Sequence, residues 1–266
     1  VPAGIRWARF RTKEGSTGFG TYTDAGIAIH DGELFGAARP TGVHLGPEEF
    51  TLLSPCTPSK IVALWNNFHA LCAKLGKQAR SHPQFLIKPS TGVIGPGEAI
   101  RRPQDYTGKV LFEGELGIVI GARCKDLPPP QAGAAIFGYT CVNDVTAVGI
   151  LNENPDFEQW CRAKGYDSFG CLGPVIATGL DVTQLRVITR LNGDVRQDYA
   201  MTDMVIAPDE VVSQVSCDMT LLPGDVIACG TSLGVGSIKD GSTVEVSIDG
   251  IGVLRNPFEP ALSGQT

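Results

Sequence analysis

The chain has 266 residues, 42% hydrophobic and 19% charged, with a formal net charge of −6 at neutral pH. That length can bury a substantial core, and the acidic balance argues against a nucleic-acid or anionic-membrane surface. No apolar run reaches membrane-spanning length and the opening VPAGIRWARF lacks a signal-peptide pattern, so the expected partner is a small molecule, with no nucleic acid and no membrane. Eight cysteines, at 56, 72, 124, 141, 161, 171, 217 and 229, form no CxxC pair, which reads as reduced structural thiols and a cytoplasmic address.

Residues 1–57 read as a small β-rich segment: IRWARF, GFGTYT and GIAIHDGELFGAA, the last with a hairpin signal at Asp31–Gly32. TLLSPCTPSK, with two prolines, marks a boundary with residues 58–266. KIVALW reads as a strand, and NNFHALCAKLGK as a short amphipathic helix with Phe68, Leu71, Cys72 and Leu75 on one face. After FLIKP and the loop VIGPGEAI comes VLFEGELGIVIG, residues 110–121, a largely buried strand. LPPPQAGAAIF predicts a helix opening after prolines, and GYTCVND a strand ending at Asp144. ITRLNGDVRQ predicts a hairpin turning at Asn192–Gly193, and DEVVSQVSCDM a helix with Val211, Val212, Val215 and Met219 aligned. PGD at 223–225 turns the chain into VIACGTS, and STVEVSIDGIGVL closes it as a second hairpin. Short strands outnumber helices and no βα repeat occurs, so the fold class is mixed and mostly antiparallel β, with scattered helices.

The strand at 110–121 carries two glutamates, Glu113 and Glu115. Positions i and i+2 of a strand share a face, so the two carboxylates project side by side. An unpaired buried carboxylate is costly and two together repel, so that face either meets water or meets something positive. Asp144 ends an apolar strand, and Lys164 lies in the Gly-rich RAKGYDSFGCLGP. Two Glu and one Asp are hard oxygen ligands suited to Mg²⁺, Mn²⁺ or Ca²⁺, and Lys164 could offset the remaining negative charge.

FEGELGIVIG, GYTCVND, KGYDSFGCLGP, NGDVRQ, TLLPGDVIACGTS and IDGIGVLRNPF, in that order, resemble the fumarylacetoacetate hydrolase family over about residues 58–258. The resemblance implies a mixed β-sandwich roll, usually a homodimer, with Mg²⁺ or Mn²⁺ held by Glu113, Glu115 and Asp144. It gives Lys164 a catalytic place as the lysine of the K-x-x-D-x-F segment. Lys88 in FLIKP also matches a family lysine, with a structural or a functional role. Thr231 and Gly230 are expected to frame the pocket, and Gln197 to lie near the substrate. The implied substrates are 2-oxo acids or 1,3-dicarbonyl compounds, whose adjacent oxygens suit a Lewis-acid cation that stabilises an enolate. Lys164 would neutralise that charge, or shuttle a proton should burial lower its pKa.

Two departures shape the expected activity. Relatives often carry N-Y-x-x-H-x-x-E, a His–Glu pair that activates water, but here Leu71 and Lys74 fall on those places. His69 stands two residues early, about 200° away around a helix, as a surface or lid residue or as a substitute base. Relatives also place Arg and Gln after the Asn-Asp pair, where this chain has Val148 and Leu151. Losing a carboxylate fork at Val148 points to a less acidic or more apolar substrate end. The expected function is C–C cleavage by hydrolysis or decarboxylation, or keto–enol isomerisation, in catabolism. The alternatives are a sugar-acid dehydratase or a catalytically silent metal-retaining binding protein. Gly230, Gly234 and Gly236 match no nucleotide-loop spacing, and His30, His44 and His82 are expected at the surface.

Overall fold

Short strands rich in apolar residues are the commonest regular element of the chain, as a computed structural model shows for residues 4–261. Residues 1–3 and 262–266, the outer ends of the two expected segments, lie outside the described residues. From the N-terminus, β1 (Arg6–Thr12), β2 (Thr17–Thr23), β3 (Gly26–Asp31) and β4 (Arg39–Leu45) form an antiparallel meander. Then come β5 (Lys60–Trp65), α1 (His69–Leu75), β6 (Gln84–Pro89), β7 (Val110–Phe112), β8 (Gly114–Ile120) and β9 (Ile136–Asp144). Helix α2 (Trp160–Lys164), β10 (Gly170–Ala177), β11 (Arg186–Leu191), β12 (Asp194–Ala200), α3 (Pro208–Asp218), β13 (Val226–Ala228), β14 (Thr243–Ile248) and β15 (Gly252–Glu259) follow.

The main sheet runs β4-β3-β2-β1-β10-β9-β8-β13-β5-β6, so the N-terminal meander extends the sheet that carries the rest of the chain. Val93–Ile94, just after β6, pairs in parallel with β10 at Gly170 and Cys171, so the run from β10 to β6 rolls back on itself. The roll encloses Ile61, Ala63, Leu86, Val119, Val142, Leu172, Ile176, Val226 and Ala228. The opposite face of β8, with Leu116, Ile118 and Ile120, packs with Val187, Val244, Val246, Ile248 and Leu254 of a second sheet, β12-β11-β14-β15. The fold is therefore the mostly β sandwich roll expected from the sequence.

The Asn192–Gly193 turn forms with both residues at positive φ, 54° and 89°, as a two-residue hairpin requires. The Asp31–Gly32 signal also marks a hairpin, but its loop spans residues 32–38 instead of two. That loop folds back to set Phe35 edge-on against Phe137, ring centroids 5.0 Å apart. Helix α1 buries Phe68 at its N-cap and Cys72, whereas Leu75 at its last turn is 45% exposed. His30 is half-buried rather than superficial, its ring 5.0 Å from that of Trp7. All eight cysteines are free, and no helix among the described residues is long and apolar enough to cross a membrane.

Asp225 of PGD ties β13 to β5. Its Oδ1 accepts from the Ser59 amide at 2.9 Å and the Ser59 hydroxyl at 2.6 Å. Its Oδ2 accepts from Lys60 Nζ at 2.5 Å and the Leu222 amide at 2.9 Å. Burial by itself would raise this carboxyl, but Lys60, Ser59 and the Leu222 amide together hold it below its ordinary value. A folded-state pKa below the unfolded one stabilises fully above the ordinary carboxylate range and loses that contribution as pH falls through the folded value. Asp225→Asn is expected to cost about 3 kcal/mol in urea unfolding at neutral pH. The gap from wild type should close on acidification; a gap that is constant with pH would show that the charge is not what ties the strands.

Candidate active site

The expected single strand at 110–121 is two strands in different sheets, separated at Glu113. β7 pairs with Thr146–Ala147 and Gly236–Ile238, whereas β8 lies in the main sheet. The Glu113 amide donates to Asn143 Oδ1 at 3.0 Å. The next peptide is gripped on both sides. The Gly114 amide donates to Gln197 Oε1 at 2.9 Å, and its carbonyl accepts from Tyr199 OH at 2.6 Å and Thr231 Oγ1 at 3.0 Å. A Cβ at Gly114 would lie 1.9 Å from Thr189 Oγ1, so only glycine fits. The clamp redirects the chain between Glu113 and Glu115 while keeping both carboxylates on the same site.

Carboxylate oxygens of Glu113, Glu115 and Asp144 lie within 4.8 Å of one another. Two buried lysines reach them. Lys164, at the end of α2, donates to Glu113 Oε1 at 2.9 Å and Asp144 Oδ2 at 2.6 Å. Lys88, inside the roll on β6, pairs with Asp144 Oδ1 and donates to the Val145 carbonyl at 3.2 Å. Glu113 Oε1 also accepts from Thr146 Oγ1 at 2.6 Å. Glu115 is fully buried: its Oε2 accepts from the Gly230 amide at 2.8 Å, and its Oε1 has no hydrogen-bond partner among the described residues.

The charges follow from this geometry. Burial, reinforced by the Asp144 and Glu113 charges, pushes the Glu115 carboxyl well above its ordinary value. Burial would raise Asp144 too, but Lys164 and Lys88 outweigh it and hold that carboxyl low. Burial would lower Lys164, but Asp144, Glu113 and Glu115 outweigh it and keep its ammonium charged. Lys88 is the lysine that burial does lower, despite Asp144. With all three carboxylates ionised and both lysines charged the cluster would carry one negative charge in excess, and the raised Glu115 carboxyl registers that shortage of positive charge. An orphaned, fully buried oxygen within an all-oxygen cluster fits a hard divalent cation.

Glu113, Glu115, Asp144, Lys164 and Lys88 therefore come together, and Gly230 joins them through its amide. Gln197 and Thr231 lie just beneath, 1% and 6% exposed, with Gln197 Nε2 donating to Thr231 Oγ1 at 2.8 Å. Their polar atoms are engaged in the Gly114 clamp. His69 is the exposed first residue of α1, and no hydrogen bond among the described residues joins it to the cluster. Val148 is half-buried at the start of a short helical turn, Val148–Leu151, its amide bonded to the Lys109 carbonyl. Tyr199 and Thr146 are participants that the sequence reading passed over. Strand alternation was a usable signal for Tyr199, two residues beyond Gln197 on the same face of β12, but not for Thr146, which opens a separate strand in another sheet after β9 ends at Asp144. Tyr199→Phe should cost about 1 kcal/mol, through one lost hydrogen bond. Gly114→Ala should cost about 3 kcal/mol, through overpacking against Thr189. Wild-type midpoints for both in chemical denaturation would mean that the peptide is not clamped.

Comparison with known proteins accords with this geometry. Residues 60–259 match the model of the fumarylacetoacetate hydrolase C-terminal domain, and residues 5–55 match that described as Rv2993c-like, N-terminal. The oxaloacetate tautomerase of Bacillus subtilis is 32% identical over 212 residues, covering 75% of this chain and 69% of that protein. The crystal structure of a 2-hydroxyhepta-2,4-diene-1,7-dioate isomerase from Mycobacterium marinum superposes with a TM-score of 0.87 at 36% identity, covering 96% of this chain and 98% of that one. A maleylpyruvate hydrolase from Sphingobium, solved with manganese and pyruvate, gives 0.77 at 26% identity, covering 97% and 100%. These matches, extending over the strands that carry the carboxylates, establish that the chain belongs to the fumarylacetoacetate hydrolase family.

Proposed function

We propose that the protein is a divalent-metal-dependent enzyme that enolises a 2-oxo acid or 1,3-dicarbonyl compound, and that keto–enol isomerisation is its reaction. The observation that carries this reading is the buried trio Glu113, Glu115 and Asp144 with Lys164 and Lys88 against it, and no His–Glu pair beside it. Those three carboxylates would hold Mg²⁺ or Mn²⁺. When bound, the cation supplies Lewis acidity toward paired substrate oxygens.

The chain's own groups then divide the remaining work. Each lysine ammonium has three N–H donors, two of them spent on the contacts described above. On Lys164 the third can face a bound oxo acid and neutralise its carboxylate or enolate oxygen, but its neighbours hold that ammonium charged, so it is not the proton shuttle. Lys88, whose pKa burial lowers, would in its amine form take the proton from carbon and return it to the enolate oxygen. Thr146 and the Gly230 amide hold Glu113 and Glu115 in place, so little reorganisation accompanies charge development. Hydrolysis needs an activated water in addition. The positions that would supply it hold Leu71, half-buried, and Lys74, exposed, and His69 is exposed with no partner among the described residues that orients it. Enolisation needs only charge stabilisation and proton transfer. The isomerase and tautomerase among the similar proteins support the same choice. A homodimer, and an apolar substrate end near Val148, belong to the proposal.

Proton NMR in D₂O with Mg²⁺, on oxaloacetate and on an acylpyruvate, tests this directly. The expected result is enzyme-dependent deuterium exchange and enol–keto conversion, lost on chelation and restored by Mg²⁺ or Mn²⁺. Release of pyruvate and a carboxylic acid would establish cleavage instead and would overturn isomerisation as the reaction.

A further inference from the structure

A groove of about 550 Å³ opens between β5, β6 and α2. Trp65, Phe85, Phe157 and Trp160 line it, with Lys77 and Arg162. The same two elements that form its walls also carry the buried lysines. On β6, Gln84, Leu86 and Lys88 share one face, the first two in the groove and the last on Asp144. On α2, Trp160 lines the groove and Lys164, one turn on, reaches Glu113 and Asp144. About 6–7 Å of strand or helix separates the groove residues from those lysines on either wall. Both walls of the groove thus run on into the strand and the helix that carry the buried lysines.

Its chemistry is aromatic. The Trp65 and Trp160 rings lie 5.8 Å apart, and the Trp160 N–H is already donated to Glu158 at 2.6 Å. Arg162 is paired with Glu153, and Lys77 Nζ lies 5.0 Å from the Trp65 ring centroid. Phe157 is 69% exposed at the rim. Aromatic rings dominate the lining, and the Trp160 N–H and Arg162 are already engaged, which suits a planar apolar group and offers an unpaired carboxylate little beyond the exposed Lys77.

We propose that this groove seats an aromatic substituent of the substrate, which makes that substrate an aryl-bearing 2-oxo acid or 1,3-dicarbonyl compound. The assignment rests on the oxo-acid reading of the carboxylates. The test is a tryptophan-fluorescence titration of the full chain with Mg²⁺, because Trp65 and Trp160 report occupancy without turnover. The probes are 4-phenyl-2-oxobutanoate, 2-oxobutanoate and 4-phenylbutanoate. Burying a phenyl ring should make the first bind at least about tenfold tighter than the second, and Phe157→Ala should shrink that ratio several-fold. Phe157 is largely exposed, so its truncation leaves the fold intact. Equal affinity for the phenyl and methyl oxo acids, or a ratio unchanged in the variant, overturns the proposal. Equal, Phe157-dependent affinity for 4-phenylbutanoate and its oxo analogue would keep the groove as an aryl site and overturn only the oxo-acid reading. A variant that loses self-association in sedimentation velocity yet keeps the wild-type ratio would make the groove a contact between copies, which also overturns it.

Discussion

Three carboxylates within 4.8 Å of one another, two of them fully buried, repel. At that separation each ionised pair costs about 3 kcal/mol at the effective dielectric typical of proteins. A fold keeps such a cluster only by setting positive charge against it, and Lys88 and Lys164 supply two charges toward three. Most of what is distinctive in this structure serves that balance. The roll brings Lys88 across from β6, α2 ends so that Lys164 points inward, and the turn after β13 aims the Gly230 amide at Glu115.

The second constraint is geometric. Glu113 and Glu115 must face one site although the chain changes sheets between them. Gly114 achieves this by donating its amide to Gln197 and accepting at its carbonyl from Tyr199 and Thr231, so that one distant strand and the loop after β13 fix the spacing of the two carboxylates. These side chains act on chemistry by holding the backbone under the carboxylates. A fixed cluster is also a preorganised one, which is what stabilising a developing enolate charge requires.

The strands, the Asn192–Gly193 hairpin, the α3 helix and the Glu113–Glu115 pair were legible in the sequence, because each depends on local period or on residues two apart; Asp144 joined the pair chiefly through the family resemblance. What was not legible depends on non-local contacts. Nothing in VLFEGELGIVIG signals that Gly114 ends one sheet and opens another, since that follows from Thr189 and Gln197 some 75 to 83 positions later. Leu75 fits the apolar stripe of α1 yet is exposed, because the helix stops at Gly76 after two turns and Cys72 makes the buried contact. Lys88 and Lys164 could be named from their motifs, but that both converge on Asp144 required the roll. The aromatic groove, assembled from β5, β6 and the segment before α2, left no local pattern at all.

In the proposed function the residual negative charge and the orphaned Glu115 oxygen call for one divalent cation. The most direct measurement is an electron paramagnetic resonance titration of chelator-stripped protein with Mn²⁺, run beside Glu115→Gln, a near-isosteric change that removes one charge. One tightly held ion per wild-type chain is expected, with at least about tenfold weaker binding in the variant, whose fold should persist. Equal binding by the two proteins, or no tight ion in the wild type, would contradict it.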